Sequence, residues 1–200
     1  MLDAQLRAFL SELESVGLAN DAHTAERRYK LLNLERPTAE LVWMLLQSTR
    51  RRQVLEIGTS NGYSTIWLAA ALRDIEGPPL ISIELFPEKV AQARVNLQRA
   101  ALLERVELKE GDATEVVRTL SGPFDCVFFD ADRWSAPGQL HLLLPKLAPD
   151  VLLLADNILS HPAEIAEYRE MVEHLPGFAW TVVPIGKGLH IAWRRQHSQA

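Results

Sequence analysis

The sequence predicts an α/β protein built on a doubly wound, mostly parallel sheet, with helices on both faces and an antiparallel hairpin strand at the C-terminus. Two observations carry this. Short runs that are apolar at every position alternate five times with segments of helical period, as expected for parallel strands covered on both sides. Near the end, "FAWTVVPI" and "GLHIAWR" flank Gly186-Lys187-Gly188, which reads as a β-hairpin.

The elements follow in order. Residues 2–17 form an amphipathic helix, with Leu2, Leu6, Phe9, Leu10 and Leu13 on one stripe. Residues 18–36 are polar, with room for a short helix. Pro37 suits the first turn of a helix running through Leu46. Then come strand 53–57 ("QVLEI") and helix 62–72, strand 80–84 ("LISIE") and helix 87–100, and strand 105–110 with a short helix from Asp112. "FDCVFFD" (124–130) is a fourth strand, followed by a helix around 137–147. "DVLLLAD" (150–156) is a fifth, followed by a helix around 162–174. The tail "RQHSQA" is expected to fray. The chain divides into a helical extension (1–48) and a core (50–194), together one domain, which suits 200 residues. A chain of this length buries about 70% of its unfolded surface and needs no covalent staples.

Composition excludes several classes. The chain is 48% hydrophobic and 24% charged, as in soluble globular proteins. Its net charge of −5 argues against a strongly electrostatic nucleic-acid binder. The run Arg50-Arg51-Arg52 is the one local basic candidate, and a solvated helix end explains it as well, because cations suit helix C-termini. The single cysteine, Cys126, lies in an apolar strand, so no intrachain disulfide forms; this fits a reducing, cytoplasmic setting. The N-terminus, interrupted by Asp3, Glu12 and Glu14, is not a signal peptide, and no apolar run reaches the roughly 20 residues that span a bilayer.

The unusual residues sit where strands end, which is where doubly wound sheets bind ligands. "EIGTSNGYS" supplies Glu56, Gly58, Thr59, Ser60 and Ser64 after the first strand. Gly58 permits a tight turn and close backbone approach, and the following helix start offers free N–H groups. A plain strand-to-helix turn also favours glycine, and the loop lacks G-x-G-x-x-G spacing because Ser60 replaces the second glycine. Glu84 ends the second strand, placed to accept ribose hydroxyls or, before Pro87, to cap a helix. Gly111, Asp112 and Ala113 end the third. The fourth runs into Asp130 and Asp132, and the fifth into Asp156 and Asn157. Burying unpaired carboxylates is costly, so two strands ending this way point to one shared site.

Together these motifs resemble those of class I S-adenosylmethionine-dependent methyltransferases, and more narrowly the metal-dependent O-methyltransferases of the catechol and caffeoyl-CoA type. The match runs from about Leu32 to Arg194. "VLEIGTSNGYSTIWLA" is similar to the family's first motif, "FFDADRW" to its acidic metal loop, "LADN" to its Asp-Asn metal pair, and the terminal hairpin to strands six and seven of its Rossmann-like sheet. The resemblance implies that Glu56, Gly58, Thr59 and Ser64 hold the methionine part of S-adenosylmethionine, that Glu84 takes the ribose, that Ala113 borders the adenine, and that Leu34 covers the cofactor. It implies that Asp130, Asp156 and Asn157 ligate a divalent cation while Asp130 and Asp132 lie near the cofactor. All-oxygen ligation suits Mg²⁺, Ca²⁺ or Mn²⁺ better than zinc. Asp130 and Arg133 are the implied catalytic groups, and the acceptor a small molecule with a catechol-like pair of hydroxyls.

Two positions depart from the family. Arg133 stands where lysine is usual, and guanidinium can stabilise a phenolate but does not give up a proton. Ala136 stands where relatives often have tyrosine. These departures keep open a protein that binds S-adenosylmethionine without turnover. The short chain and the Arg50-Arg51-Arg52 run allow a tRNA-nucleoside O-methyltransferase, which the net charge of −5 opposes; a nicotinamide dehydrogenase needs the missing glycine spacing. A homodimer, no membrane partner and a cytoplasmic location complete the expectations. Of the remaining residues, Trp134 either lines an aromatic pocket or packs under its loop. His161 touches substrate or merely starts a helix. Trp43 and Trp67 belong to core or interface, and His190 is structural.

Overall fold

The computed structural model describes residues 2–195. Helix α1 spans Ala4–His23, capped by Asp3, whose side chain accepts from the Leu6 N–H at 2.8 Å. It continues six residues beyond the expected end. Gly17 does not stop it because that glycine is buried against Asn33, whose amide donates to the Leu13 carbonyl at 3.0 Å. The polar stretch beyond holds one 3₁₀ turn, Arg27–Tyr29, and helix α2 follows at Arg36–Thr49.

Five strand–helix units then follow as predicted: β1 (Val54–Ile57) and α3 (Tyr63–Ala71), β2 (Leu80–Glu84) and α4 (Pro87–Arg99), β3 (Val106–Glu110) and α5 (Ala113–Thr119), β4 (Phe124–Phe129) and α6 (Ala136–Leu143), β5 (Leu147–Ala155) and α7 (Pro162–Glu173). Strands β6 (Phe178–Val183) and β7 (Leu189–Arg195) form the hairpin. Residues 196–200 of the expected frayed tail lie outside the described residues, and Arg195 belongs to β7. The boundary of the fourth unit moved: the helix expected around 137–147 ends at Leu143 and gives way to a 3₁₀ turn. Pro145 has no N–H to continue the helical ladder. Strand β5 therefore starts early, pairing Leu147 with Phe124 before a register shift brings Leu152 opposite Cys126.

The sheet order is β3-β2-β1-β4-β5-β7-β6, with β7 antiparallel to both neighbours and all other pairs parallel. Side chains alternate between two cores, because successive strand residues point to opposite faces. Cys126, Phe128, Leu152 and Leu154 pack with α1, α2 and α3; Val127, Phe129, Val151 and Leu153 pack with α6 and α7. Cys126 is fully buried in β4, and burial raises its thiol pKa, which disfavours the reactive thiolate. Trp67 and His190 are buried as core residues. Among the described residues no helix is long and apolar enough to cross a membrane.

The three-arginine run is a solvated helix end at Arg50 and Arg52 but not at Arg51. Arg51 is 4% exposed; its guanidinium donates to the Asp150 carboxylate at 2.8 Å and to the backbone carbonyls of Asp125 and Asp150. Helix α2 ends with Arg50 in a left-handed conformation, which turns the next side chain inward. The middle of the run pins strand starts together and is withheld from any external phosphate.

Candidate active site

Register builds the site. Ile83, Ile57, Phe129 and Ala155 lie side by side across β2, β1, β4 and β5. The next residue of each strand is therefore Glu84, Gly58, Asp130 and Asp156, one row along the carboxyl edge. Backbone bonds extend the ladder past the strand ends: the Gly58 N–H donates to Ile83, that of Asp130 to Ile57 and that of Asp156 to Phe129, at 2.9 to 3.1 Å. Adjacent strands lie about 4.8 Å apart, so the fold forces two aspartates into neighbouring positions. The row straddles β1 and β4, where the strand order reverses.

A cleft of about 960 Å³ opens over this edge, at the upper end of the size range of ligand sites. It brings together Leu34, Gly58, Thr59, Ser64, Glu84, Ala113, Asp130, Asp132, Arg133, Asp156 and Asn157, each of them singled out by the sequence. Gly58 adopts φ +111°, and a Cβ there would run into the Asp130 carbonyl. The close approach that demands glycine is thus to the acidic loop. Glu84 accepts from the Ser60 N–H at 2.8 Å and the Phe86 N–H at 3.0 Å, which fixes its carboxylate while leaving lone pairs toward the cleft.

Glu56 is the exception. It does not line the cleft but lies beneath the loop, fully buried. Strand alternation points it with Val54 toward α3, where Ser64 donates to one oxygen and Thr65 and Ser82 to the other, all at 2.6 Å. Burial raises its pKa and the three hydroxyls pull it back. Its role is to tie β1, β2 and α3 together beneath the glycine loop. The contact with a cofactor that the resemblance implied would be through Ser64, which lines the cleft and bonds Glu56.

The acidic half is arranged differently. The Asn157 amide nitrogen lies 3.2 Å from Asp130 Oδ1 and 2.9 Å from Asp156 Oδ2. Asn157 sits at φ +69°, a left-handed conformation that asparagine tolerates better than most residues. Burial, then the neighbouring Asp156 and Glu56, push Asp130 well above the usual carboxylate range. Burial and Glu35 push Asp156 up, with the Asn157 N–H, Lys187 and Arg133 opposing. Asp156 Oδ1 is buried with no partner among the described residues. Two crowded carboxylates and an amide that converge around one point fit a hard divalent cation, since a half-turn of the carboxamide presents its oxygen there. No third His, Cys, Asp or Glu joins them among the described residues.

Around this pair stand Arg133, which the sequence singled out, and three groups that it did not: Glu164, Gln139 and Lys187. Arg133, 7% exposed, donates to Glu164 of α7 at 2.6 and 2.8 Å. Gln139 of α6, with an unpartnered Oε1, closes a chamber of about 10 Å³ behind the aspartates, room for about one water. Lys187 of the hairpin turn also lines the cleft. Nothing in their spacing marked them: Glu164 reads as an ordinary first-turn acid, and Lys187 as a turn residue. Asp132 lines the cleft but accepts from Ser135 Oγ at 2.5 Å and its N–H at 3.1 Å, so one oxygen is committed to starting α6. Trp134 is 67% exposed at the cleft wall, which excludes packing under the loop, and His161 lines the cleft beside Ser160.

Comparison with known proteins identifies the family. The chain is 37% identical over 127 residues to a catechol O-methyltransferase of Mycobacterium tuberculosis, covering 62% of this chain and 56% of that protein. It is 32% identical over 146 residues to a catechol O-methyltransferase of Niastella koreensis, covering 71% and 65%. The matches thus span less than two thirds of either relative. The solved structure of cofactor-bound Rv0187 from MTB superposes with a TM-score of 0.78 at 29% identity, over 98% of this chain and 92% of that one. A family model described as "Methyltransferase domain" matches residues 55–158, from β1 through the Asp156-Asn157 loop and just over half of the chain. The strand ends that form the row above all fall inside that match, and the protein belongs to the methyltransferase domain family, within which it resembles the catechol O-methyltransferases.

Proposed function

We propose that the protein is an S-adenosylmethionine-dependent O-methyltransferase acting on a small aromatic with two adjacent hydroxyls, assisted by a divalent cation at Asp130, Asp156 and Asn157. The observation that carries this reading is the adjacency, in one row, of a cofactor half and a pair of crowded carboxylates. The catechol O-methyltransferases among its relatives support the acceptor class.

Gly58, Thr59 and Ser64 would hold the cofactor's amino-acid part, Glu84 its ribose, and Leu34 and Ala113 would enclose it; what the cofactor supplies is a methyl group activated on a sulfonium. The cation, when held by Asp130, Asp156 and Asn157, would lower the acceptor's pKa and fix its orientation. The protein's own groups do the rest. Glu84 is pre-set by two backbone N–H bonds and loses little freedom on binding. Leu31 and Leu34, both buried, would give the cofactor an apolar wall. Arg133, held by Glu164, adds a fixed positive charge that offsets the aspartates but removes no proton. The reaction then rests on orientation and electrostatics.

The test is methyl transfer from labelled cofactor to catechol, with and without EDTA. Transfer that EDTA abolishes and Mg²⁺ restores supports the reading. Full turnover in EDTA sinks the cation's part, and no transfer to any diol sinks the acceptor class.

A further inference from the structure

The Gly186-Lys187-Gly188 turn does more than close a hairpin. Both glycines adopt positive φ, +54° and +92°. A Cβ on Gly186 would run into Thr38 Oγ1 and Glu35; one on Gly188 would meet the Leu159 side chain at 2.5 Å. The turn is therefore wedged between the start of α2 and the loop after β5. The N–H groups of Leu159 and Ser160 donate to the Lys187 carbonyl at 3.0 and 3.1 Å, and that of Ile158 to Gly188 at 3.1 Å. These residues directly follow Asp156 and Asn157, so the turn and the acidic loop form one unit.

The lysine side chain lines the cleft, and its Nζ lies 2.7 Å from Glu35 Oε1. It is 40% exposed, whereas Arg133 is buried and committed to Glu164. Burial alone would pull Lys187 down, but the bond and charge of Glu35, with Asp156 and Asp130, hold it above its usual value. It is an ammonium at neutral pH, a fixed cation and not a base.

Resting on the proposed methyl transfer, we infer that Lys187 is a catalytic residue that stabilises the ionised acceptor oxygen, with Glu35 as its positioning residue. The acceptor hydroxyl gives its proton to bulk water. Its oxygen forms the new bond to the methyl carbon as the carbon–sulfur bond breaks, and that bond's electron pair stays on sulfur. A lysine from the far end of the chain thereby adds its charge to that of Arg133, which is more deeply buried and held by Glu164.

The experiment follows 4-nitrocatechol, whose ionisation is visible by absorbance, bound to protein saturated with S-adenosylhomocysteine and Mg²⁺. Lys187→Met should raise the pH at which the bound probe ionises by about one unit. Lys187→Arg should restore it, and Glu35→Gln should fall between. Lys187→Gln serves as a second charge-removing variant should the methionine variant not fold. The melting shift caused by S-adenosylhomocysteine should be the same throughout, which a general structural defect would not allow. Ionisation at the wild-type pH in both charge-removing variants overturns the role of Lys187 and leaves the methyltransferase reading standing. Failure of the wild type to bind the probe overturns the diol reading, and the role of Lys187 with it.

Discussion

The two halves of the cleft treat their carboxylates in opposite ways. In the cofactor half every oxygen of Glu56 and Glu84 has a donor: three hydroxyls for one, two backbone N–H groups for the other. In the acidic half Asp130 and Asp156 crowd each other, Asp156 Oδ1 has no partner among the described residues, and both are held above the ordinary carboxylate range. The first half is satisfied by the protein alone. The second is left with like charges on adjacent strands in a buried setting, which repel with little screening and raise both carboxyls.

The largest effect should come from breaking the unsatisfied half. Replacing Asp156 and Asn157 together with alanine should lower diol methylation at least about a hundredfold, since ligand loss exceeds the effect of outer partners. The melting shift induced by S-adenosylmethionine should persist, and the increment from Mg²⁺ plus catechol should vanish. Loss of both shifts would mean that the halves are not separable.

Breaking the satisfied half should act on stability instead. Glu56→Ala leaves Ser64, Thr65 and Ser82 without their acceptor and should cost about 3 kcal/mol, read as a lower urea midpoint. Glu56→Gln should cost less. If Glu56→Ala instead keeps its stability and loses cofactor affinity, Glu56 is a direct binding residue.

A third measurement sets a group away from both halves beside them. His190 is buried between Tyr168 and Trp180, with neither ring nitrogen partnered among the described residues. Burial pulls its pKa down to about 4, the nearby Glu173 opposing and Arg169 assisting. The folded state then binds fewer protons than the unfolded state between about 4 and 6.5. Its contribution is fully present above the unfolded value near 6.5 and is lost as pH falls toward 4, by at most about 3 kcal/mol. Comparing urea midpoints at pH 5 and 7.5, His190→Leu should flatten the decline. An unchanged slope would assign the acid sensitivity to other groups.

The smallest effect sharpens the cofactor half. Glu84→Gln should weaken S-adenosylmethionine by about tenfold, with melting of the free protein nearly unchanged. An unchanged affinity would remove the ribose from Glu84.

Much of this was legible in the sequence. Apolar runs ending on Gly58, Glu84, Asp130 and Asp156 marked strand ends, because a carboxylate belongs at an edge and not within a two-faced core. Alternation also carried the position of Glu56, but the choice between reaching a ligand and facing α3 depended on where Ser64, Thr65 and Ser82 came to lie. Arg51 shows the same gap: three arginines in a row look alike until one left-handed residue turns the middle one inward.

The sequence by itself determined the five strand–helix units, the closing hairpin and the row of edge residues, since these follow from local period and from turn chemistry. Only the tertiary structure decided that Glu56 supports the loop, that Glu164 holds Arg133, and that Lys187 faces the acidic loop beside Glu35. Those pairings join residues 8 to 152 positions apart in the chain. Such long-range partners leave no periodic trace in the sequence, and the packing of helices on the sheet alone fixes which of them meet.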